Sequence, residues 1–168
     1  MLLVKAHKEL TDIAKGRILV SEPLSKYTTF KIGGPADLLV IPEDTTDLKN
    51  IFSNINNGSL PKFVLGGGSN VLAADAGFRG IVIKLSSNAF KQLSLEYEIL
   101  RAGAGVSTGE LLSFCVDSNI GGLEFISGIP GTVGGLVMMN AGIKEKNISD
   151  VIEEVTAMDK NGDIKLLK

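Results

Sequence analysis

The stretch Lys62-Phe63-Val64-Leu65-Gly66-Gly67-Gly68-Ser69-Asn70-Val71-Leu72 runs a short apolar segment directly into three consecutive glycines. Lys62 to Leu65 reads as a strand, and the glycines end it because they carry no side chain for a sheet to pack. Upstream, Asp37 to Ile41 is another short apolar strand, stopped by Pro42. Glu43 to Asn57 then reads as a helix opened by acidic and Thr residues that suit its N-terminal dipole. The result is a strand, helix, strand unit whose second strand ends in the loop Gly66 to Leu72. The carboxyl end of a strand is where α/β proteins commonly bind ligands, and Ser69 and Asn70 add short polar side chains able to bond phosphate oxygens.

A second Gly-rich stretch, Gly128-Ile129-Pro130-Gly131-Thr132-Val133-Gly134-Gly135, leads into Leu136 to Gly142. Its glycines leave backbone N–H groups uncovered and Pro130 stiffens the turn. No charged residue lies between Ile126 and Gly142, so an anionic ligand here meets peptide dipoles rather than Lys or Arg. A diphosphate fits that description; the alternative is a tight turn packed against neighbouring backbone. A third turn, Ala102-Gly103-Ala104-Gly105, closes the segment Leu93 to Arg101, which alternates as a pair of short strands. With the β-branched run Gly80 to Leu85, that pair suggests a second sheet. The helix Ser107 to Asn119 starts directly after this turn, which aims its free N–H groups at the same space. The chain thus carries three Gly-rich turns after apolar strands. None has the spacing of a G-x-G-x-x-G fingerprint or the Lys-Ser/Thr of a P-loop.

The remaining segments read as scaffold. Met1 to Val20 has Leu3, Ala6, Leu10, Ile13 and Ala14 at helical spacing, an outer helix. Thr28-Thr29-Phe30-Lys31-Ile32-Gly33-Gly34-Pro35 is either a segment crossing near a ligand or a connector with an exposed Lys31. Val151 to Met158 and Asp163 to Leu167 read as a last hairpin turning at Lys160-Asn161-Gly162. With a formal net charge of −2 and scattered Lys and Arg, the chain has no electrostatic footprint for nucleic acid. No apolar run reaches a membrane span, no signal-peptide layout is present, and the single Cys115 allows no internal disulfide, so the expectation is a cytoplasmic protein with no evident protein partner. Cys115 falls among Leu111, Leu112, Phe114 and Val116 and reads as a buried thiol. His7, the one histidine, lies in a polar segment, which removes His-based metal sites and triads; no metal site is expected.

In order and spacing, Thr28 to Ala36, Gly66 to Leu72, Gly77-Phe78-Arg79-Gly80, Ala102 to Gly105, Gly122-Leu123-Glu124-Phe125, and Gly128 to Gly135 running into Met139-Asn140-Ala141-Gly142 resemble the UDP-N-acetylenolpyruvoylglucosamine reductase family. The resemblance covers Ser25 to Gly162. It implies an α+β FAD-binding fold of the vanillyl-alcohol oxidase and p-cresol methylhydroxylase type, two subdomains with non-covalent FAD at the seam. The expected division is an N-terminal helix over 1–20, a first subdomain over 21–72 and a second over 73–168, with the substrate domain absent from this chain. The cofactor-binding residues it implies are Leu65, Gly66, Gly67, Gly68, Ser69, Asn70, Val71, Leu72, Ala104, Gly105, Gly128, Ile129, Pro130, Gly131, Thr132, Gly134, Gly135, Asn140 and Gly142.

The reaction implied is a hydride relay from NADPH through FAD to the enolpyruvyl group of a UDP-sugar, giving UDP-N-acetylmuramate for peptidoglycan. The flavin carries the hard chemistry and the protein positions it and stabilises developing charge. The family's Arg in a Tyr-Arg-x-Ser segment, its Glu near the C-terminus and its protonating Ser are expected beyond Lys168, so this chain alone is expected to be inactive. Ile143-Lys144-Glu145-Lys146 departs from the family pattern of an aromatic residue and a Gly after Asn-Ala-Gly. Two other readings stay open: a stand-alone flavin-binding module, and another FAD-dependent oxidoreductase of the same fold.

Overall fold

The first helix stops earlier than its periodicity suggests. In a computed structural model, which describes residues 2–55 and 60–168, α1 spans Leu2–Ile13 and Arg17–Pro23 is strand β1. Met1 and residues 56–59, which include the expected helix end at Asn57, lie outside the described residues. The expected helix to Val20 is therefore corrected, and Asp47 is the reason. Its buried carboxylate accepts the Lys15 N–H at 3.0 Å and the Gly16 N–H at 2.9 Å, drawing both out of the helical ladder, while Gly16 packs directly on the Ile41 carbonyl. Ile18-Leu19-Val20, a good strand sequence, then pairs antiparallel with β2, Pro35–Ile41, placing Leu19 opposite Leu39.

Beyond β2, the Asp44 carboxylate accepts the Asp47 N–H at 2.8 Å, a side-chain cap at the start of α2, Thr45–Ile55. Strand β3, Lys62–Leu65, matches its expected bounds. Strand β4, Phe78–Lys84, inserts between β2 and β3 and runs parallel to both, giving the order β1-β2-β4-β3. The expected division after Leu72 thus cuts through one hydrogen-bonded sheet. A second sheet containing Gly80 to Leu85 does not form, because parallel pairing over Ile81, Val82 and Ile83 buries that run on both faces, as such apolar strands require.

Period-two alternation sorts the sheet's side chains, broken once in β2 by a register shift between Ala36 and Leu38. Leu38, Val40, Ile81 and Ile83 face one way, into a core with Leu10, Leu48, Ile51 and Ile55 from the two helices. Ala36, Leu39, Val82 and Leu65 face the other, with Leu24 and half-buried Tyr27, Val71, Ala73 and Phe78. Each fully buried aliphatic side chain contributes about 2 kcal/mol from surface removed from water.

The rest is a third core with short elements around it. Strands β5, Leu93–Glu96, and β6, Ile99–Ala102, form a hairpin. Helix α3, Thr108–Asp117, brings Leu111 and Cys115 against Val106, Ile126, Leu136 and Ile148. Helix α4, Val133–Met139, is followed by a minimal hairpin of β7, Gly142–Ile143, and β8, Lys146–Asn147. The departing residues Ile143 to Lys146 fill this hairpin, and Lys146 works from it: its Nζ donates to the Gly122 carbonyl at 3.1 Å and lies 5.2 Å from the Phe125 ring centre. A final hairpin, β9 over Val155–Met158 and β10 over Ile164–Leu167, returns Met158 to the first core. Among the described residues no helix is long and apolar enough to cross a membrane.

Candidate functional site

Parallel pairing of β3 with β4 sets Leu65 opposite Lys84, so both strands finish at the same end of the sheet, beneath the loop Gly66 to Asn70. Two further loops meet it there. Ser69 Oγ donates to the Pro130 carbonyl at 2.8 Å, and Gly67 packs so tightly on the second loop that a Cβ there would stand 2.7 Å from the Gly131 Cα. The Gly103 turn closes from the other side. Thr108 N–H donates to the Gly131 carbonyl at 3.1 Å, Val133 N–H to Val106 at 2.8 Å and Gly134 N–H to Ala104 at 2.9 Å. The three Gly-rich loops are therefore one seam between the sheet and the third core.

What this seam offers is backbone donors with a fixed aim. In a trans peptide the C=O and the following N–H point in opposite directions, and among the described residues no peptide is cis. Four carbonyls of the seam are held from within the protein: Gly66 by Lys84 Nζ at 2.8 Å, Gly68 by the Thr29 N–H at 3.1 Å, Pro130 by Ser69 Oγ and Gly131 by Thr108. The N–H groups of Gly67, Ser69, Gly131 and Thr132 must then point away from those anchors. None of the four donates to an acceptor within the described residues. Gly68 at φ 73° and Gly131 at φ 143° take backbone conformations that L side chains rarely adopt. Unpaired peptide N–H groups on neighbouring loops suit an anion.

Not every expected residue joins this seam. Gly128 and Ile129 follow a 3₁₀ turn, Glu124–Ile126, rather than an apolar strand, and Ile129 packs into the third core. Gly105 spends its N–H on the Phe90 carbonyl, and Gly134 and Gly135 lie in α4, whose cap Thr132 reaches the Gly135 N–H at 3.4 Å. Val71 is half-buried and Leu72 is exposed. Asn140 caps the far end of α4, roughly 12 Å from Thr132 at 1.5 Å per residue. Its Oδ1 accepts the Ser149 N–H, and Gly142 packs against Asn147.

The expectation that α3 aims free N–H groups at the site is overturned. Ser107 Oγ accepts the Glu110 N–H and the Glu110 carboxylate accepts the Ser107 N–H at 2.7 Å, while Thr108 N–H goes to Gly131. The capping box uses these donors and sets a carboxylate where an anion would have to sit. Helix α3 supports the seam without lining it.

Three residues at the seam escaped the sequence reading. Lys84 is half-buried, with Nζ on the Gly66 carbonyl and 5.6 Å from the Tyr27 ring centre; burial, and secondarily the Lys91 charge, hold its pKa below the usual lysine range. Tyr27 donates to Glu22 at 3.0 Å, and burial followed by that bond pushes its phenol up. Thr108 Oγ1 is buried with no partner among the described residues. A Lys ending an apolar strand is a visible signal, but only the strand pairing shows which loop it serves.

A sequence profile of the FAD binding domain family matches residues 36–168. The chain belongs to the FAD-binding domain family. It is 38% identical over 166 residues to the UDP-N-acetylenolpyruvoylglucosamine reductase of Caldanaerobacter subterraneus subsp. tengcongensis, taking in 99% of this chain and 54% of that protein. Among solved structures it is similar to UDP-N-acetylenolpyruvylglucosamine reductase from Thermus caldophilus, with a TM-score of 0.69 at 30% identity over 91% of this chain and 52% of that one. Berberine bridge enzyme from Eschscholzia californica, at 18% identity and a TM-score of 0.64 over 98% of this chain and 37% of that one, shares the fold. This is the vanillyl-alcohol oxidase type of FAD-binding fold, and the family's cofactor is FAD. The chain spans about half the length of the curated relatives it matches.

Proposed function

We propose that the seam binds the diphosphate of FAD and that the full-length protein is an NADPH-dependent UDP-N-acetylenolpyruvoylglucosamine reductase of peptidoglycan synthesis, acting in the cytoplasm where NADPH and UDP-sugars are held. The observation that carries the reading is the set of four anchored carbonyls, which turn the N–H groups of Gly67, Ser69, Gly131 and Thr132 outward. None of the loops Gly66 to Leu72, Gly103 to Gly105 and Gly128 to Gly135 contains a charged side chain, so peptide dipoles do the binding. Bound there, FAD would supply the hydride chemistry. The N–H groups of Gly67, Ser69, Gly131 and Thr132 would donate to its phosphate oxygens, and the tight Gly67–Gly131 contact would keep both loops on the same group.

Gly131→Val tests this. A Cβ there meets Ser69 Oγ at 3.3 Å in a backbone conformation hostile to L residues, so the loop must shift. Flavin absorbance after gel filtration should be lost while the circular dichroism spectrum is kept. A variant that retains FAD at wild-type stoichiometry makes this loop a plain turn.

A further inference from the structure

Lys84 has an arrangement that the scaffold alone does not require. Its strand is already secured by parallel pairing on both sides, and a solvent-facing carbonyl at Gly66 would be satisfied by water. Instead the ammonium is drawn in under the loop, held between the Gly66 carbonyl and the face of Tyr27, at the desolvation cost that burying a lysine entails. It also brings a cation against loops that contain none. On the reading that the seam holds a flavin diphosphate, the geometry points to Lys84 as a positioning residue for that diphosphate. Its ammonium pins the Gly66 carbonyl inward, which aims the Gly67 N–H outward, and places a positive charge behind the uncharged donors.

Tyr27 belongs to the same device. Its own carbonyl lies where a Cβ on Gly68 would fall, its ring meets the Lys84 ammonium, and its hydroxyl is held by Glu22. Next to it, Thr29 fixes the Gly68 carbonyl. The segment Tyr27 to Thr29 and the end of β4 therefore grip successive alternate peptides of one loop. The titratable groups that face Lys84 are Tyr27, from the turn after β1, and Lys91, from the segment before β5.

The test is a titration of FAD, followed by flavin fluorescence, into the chain and its Lys84→Met and Lys84→Arg variants. Removing a charge-assisted hydrogen bond should weaken FAD about ten- to hundredfold in Lys84→Met, with Lys84→Arg within about threefold of wild type. Only the protonated lysine can act, so wild-type affinity depends on pH. It should fall as pH rises through the lowered Lys84 pKa, whereas the Arg variant stays flat over the same range. A purely structural lysine would show neither Arg rescue of affinity nor this pH limb. If Lys84→Met does not fold, the wild-type and Arg pH profiles decide: identical profiles overturn the proposal. Equal FAD affinity in a folded Lys84→Met also overturns it while leaving the seam as the flavin site. Wild type that binds no FAD at any pH sinks the seam reading itself, and this proposal with it.

Discussion

Thr108 shows how much a single atom in the seam can report. Its N–H holds the Gly131 carbonyl, yet its hydroxyl is buried without a partner among the described residues. An unpaired buried hydroxyl costs roughly 1–3 kcal/mol, and valine keeps the shape without it. Thr108→Val should therefore stabilise the chain by about 1 kcal/mol, a gain of about 2–4 °C in Tm for a protein of this size. Thermal unfolding reads it, and a lower Tm would show that the hydroxyl serves a bond. Cys115 is a simpler case. Burial, and secondarily the Glu124 charge, push its thiol pKa up, which fits a packing role in the third core rather than a reactive one.

At the scale of elements, caps and carboxylates decide where segments begin and end. Asp47 accepts three backbone N–H groups, from Lys15, Gly16 and Glu43, and so ties the α1–β1 turn to the start of α2. Asn in its place presents an NH₂ to donors, orphaning at least one of them; Asp47→Asn should cost about 2–4 kcal/mol in urea unfolding. A loss well under ~1 kcal/mol would mean that the turn is held by packing instead. Helix α3 carries a pH signature. Glu110 is held below its ordinary value of 4.5 by the bond with Ser107, so its contribution is present above the unfolded pKa and is lost as pH falls through the lower folded value. Since the group is exposed, the effect is small. Urea midpoints followed downward from pH 6 should fall less in Glu110→Gln than in wild type, and parallel curves would assign the acid limb to other groups.

For the molecule as a whole, the seam and the length of the relatives act together. The 168 residues hold no Tyr-Arg-x-Ser segment, and the loss of one stabilising donor of an intermediate typically costs ~10²–10³ in rate. Mixed with NADPH and UDP-N-acetylenolpyruvoylglucosamine, this chain should show no turnover above background. Turnover would place the catalytic residues among those present. Beside the seam, Leu72 is 75% exposed and Met138 on α4 is 83% exposed, apolar surface open to further burial. Covering even ~100 Å² of the flavin or its surroundings adds about 2.5 kcal/mol, so a chain extended to the relatives' length should bind FAD ten- to a hundredfold more tightly. Calorimetry on both chains measures this, and equal affinities would remove the argument.

Local chemistry was enough to read the loops and most elements. Lys62 to Leu65 as a strand, the helix read from Glu43 onward, a helix directly after the Gly103 turn and the buried Cys115 follow from period, helix-start residues and apolar spacing, all properties of neighbours in the chain. The order and spacing of the Gly-rich motifs marked the FAD-binding family for the same reason. What tertiary structure decided is whatever depends on a distant partner. The carboxylate of Asp47 ends α1 from 31 residues away, and the insertion of β4 between β2 and β3 moves Ile81 to Ile83 into the first sheet. That insertion also carries Lys84 under a loop 18 residues before it. Hydrogen bonds and burial act through space, and no periodicity along the chain encodes which carbonyl a lysine will meet.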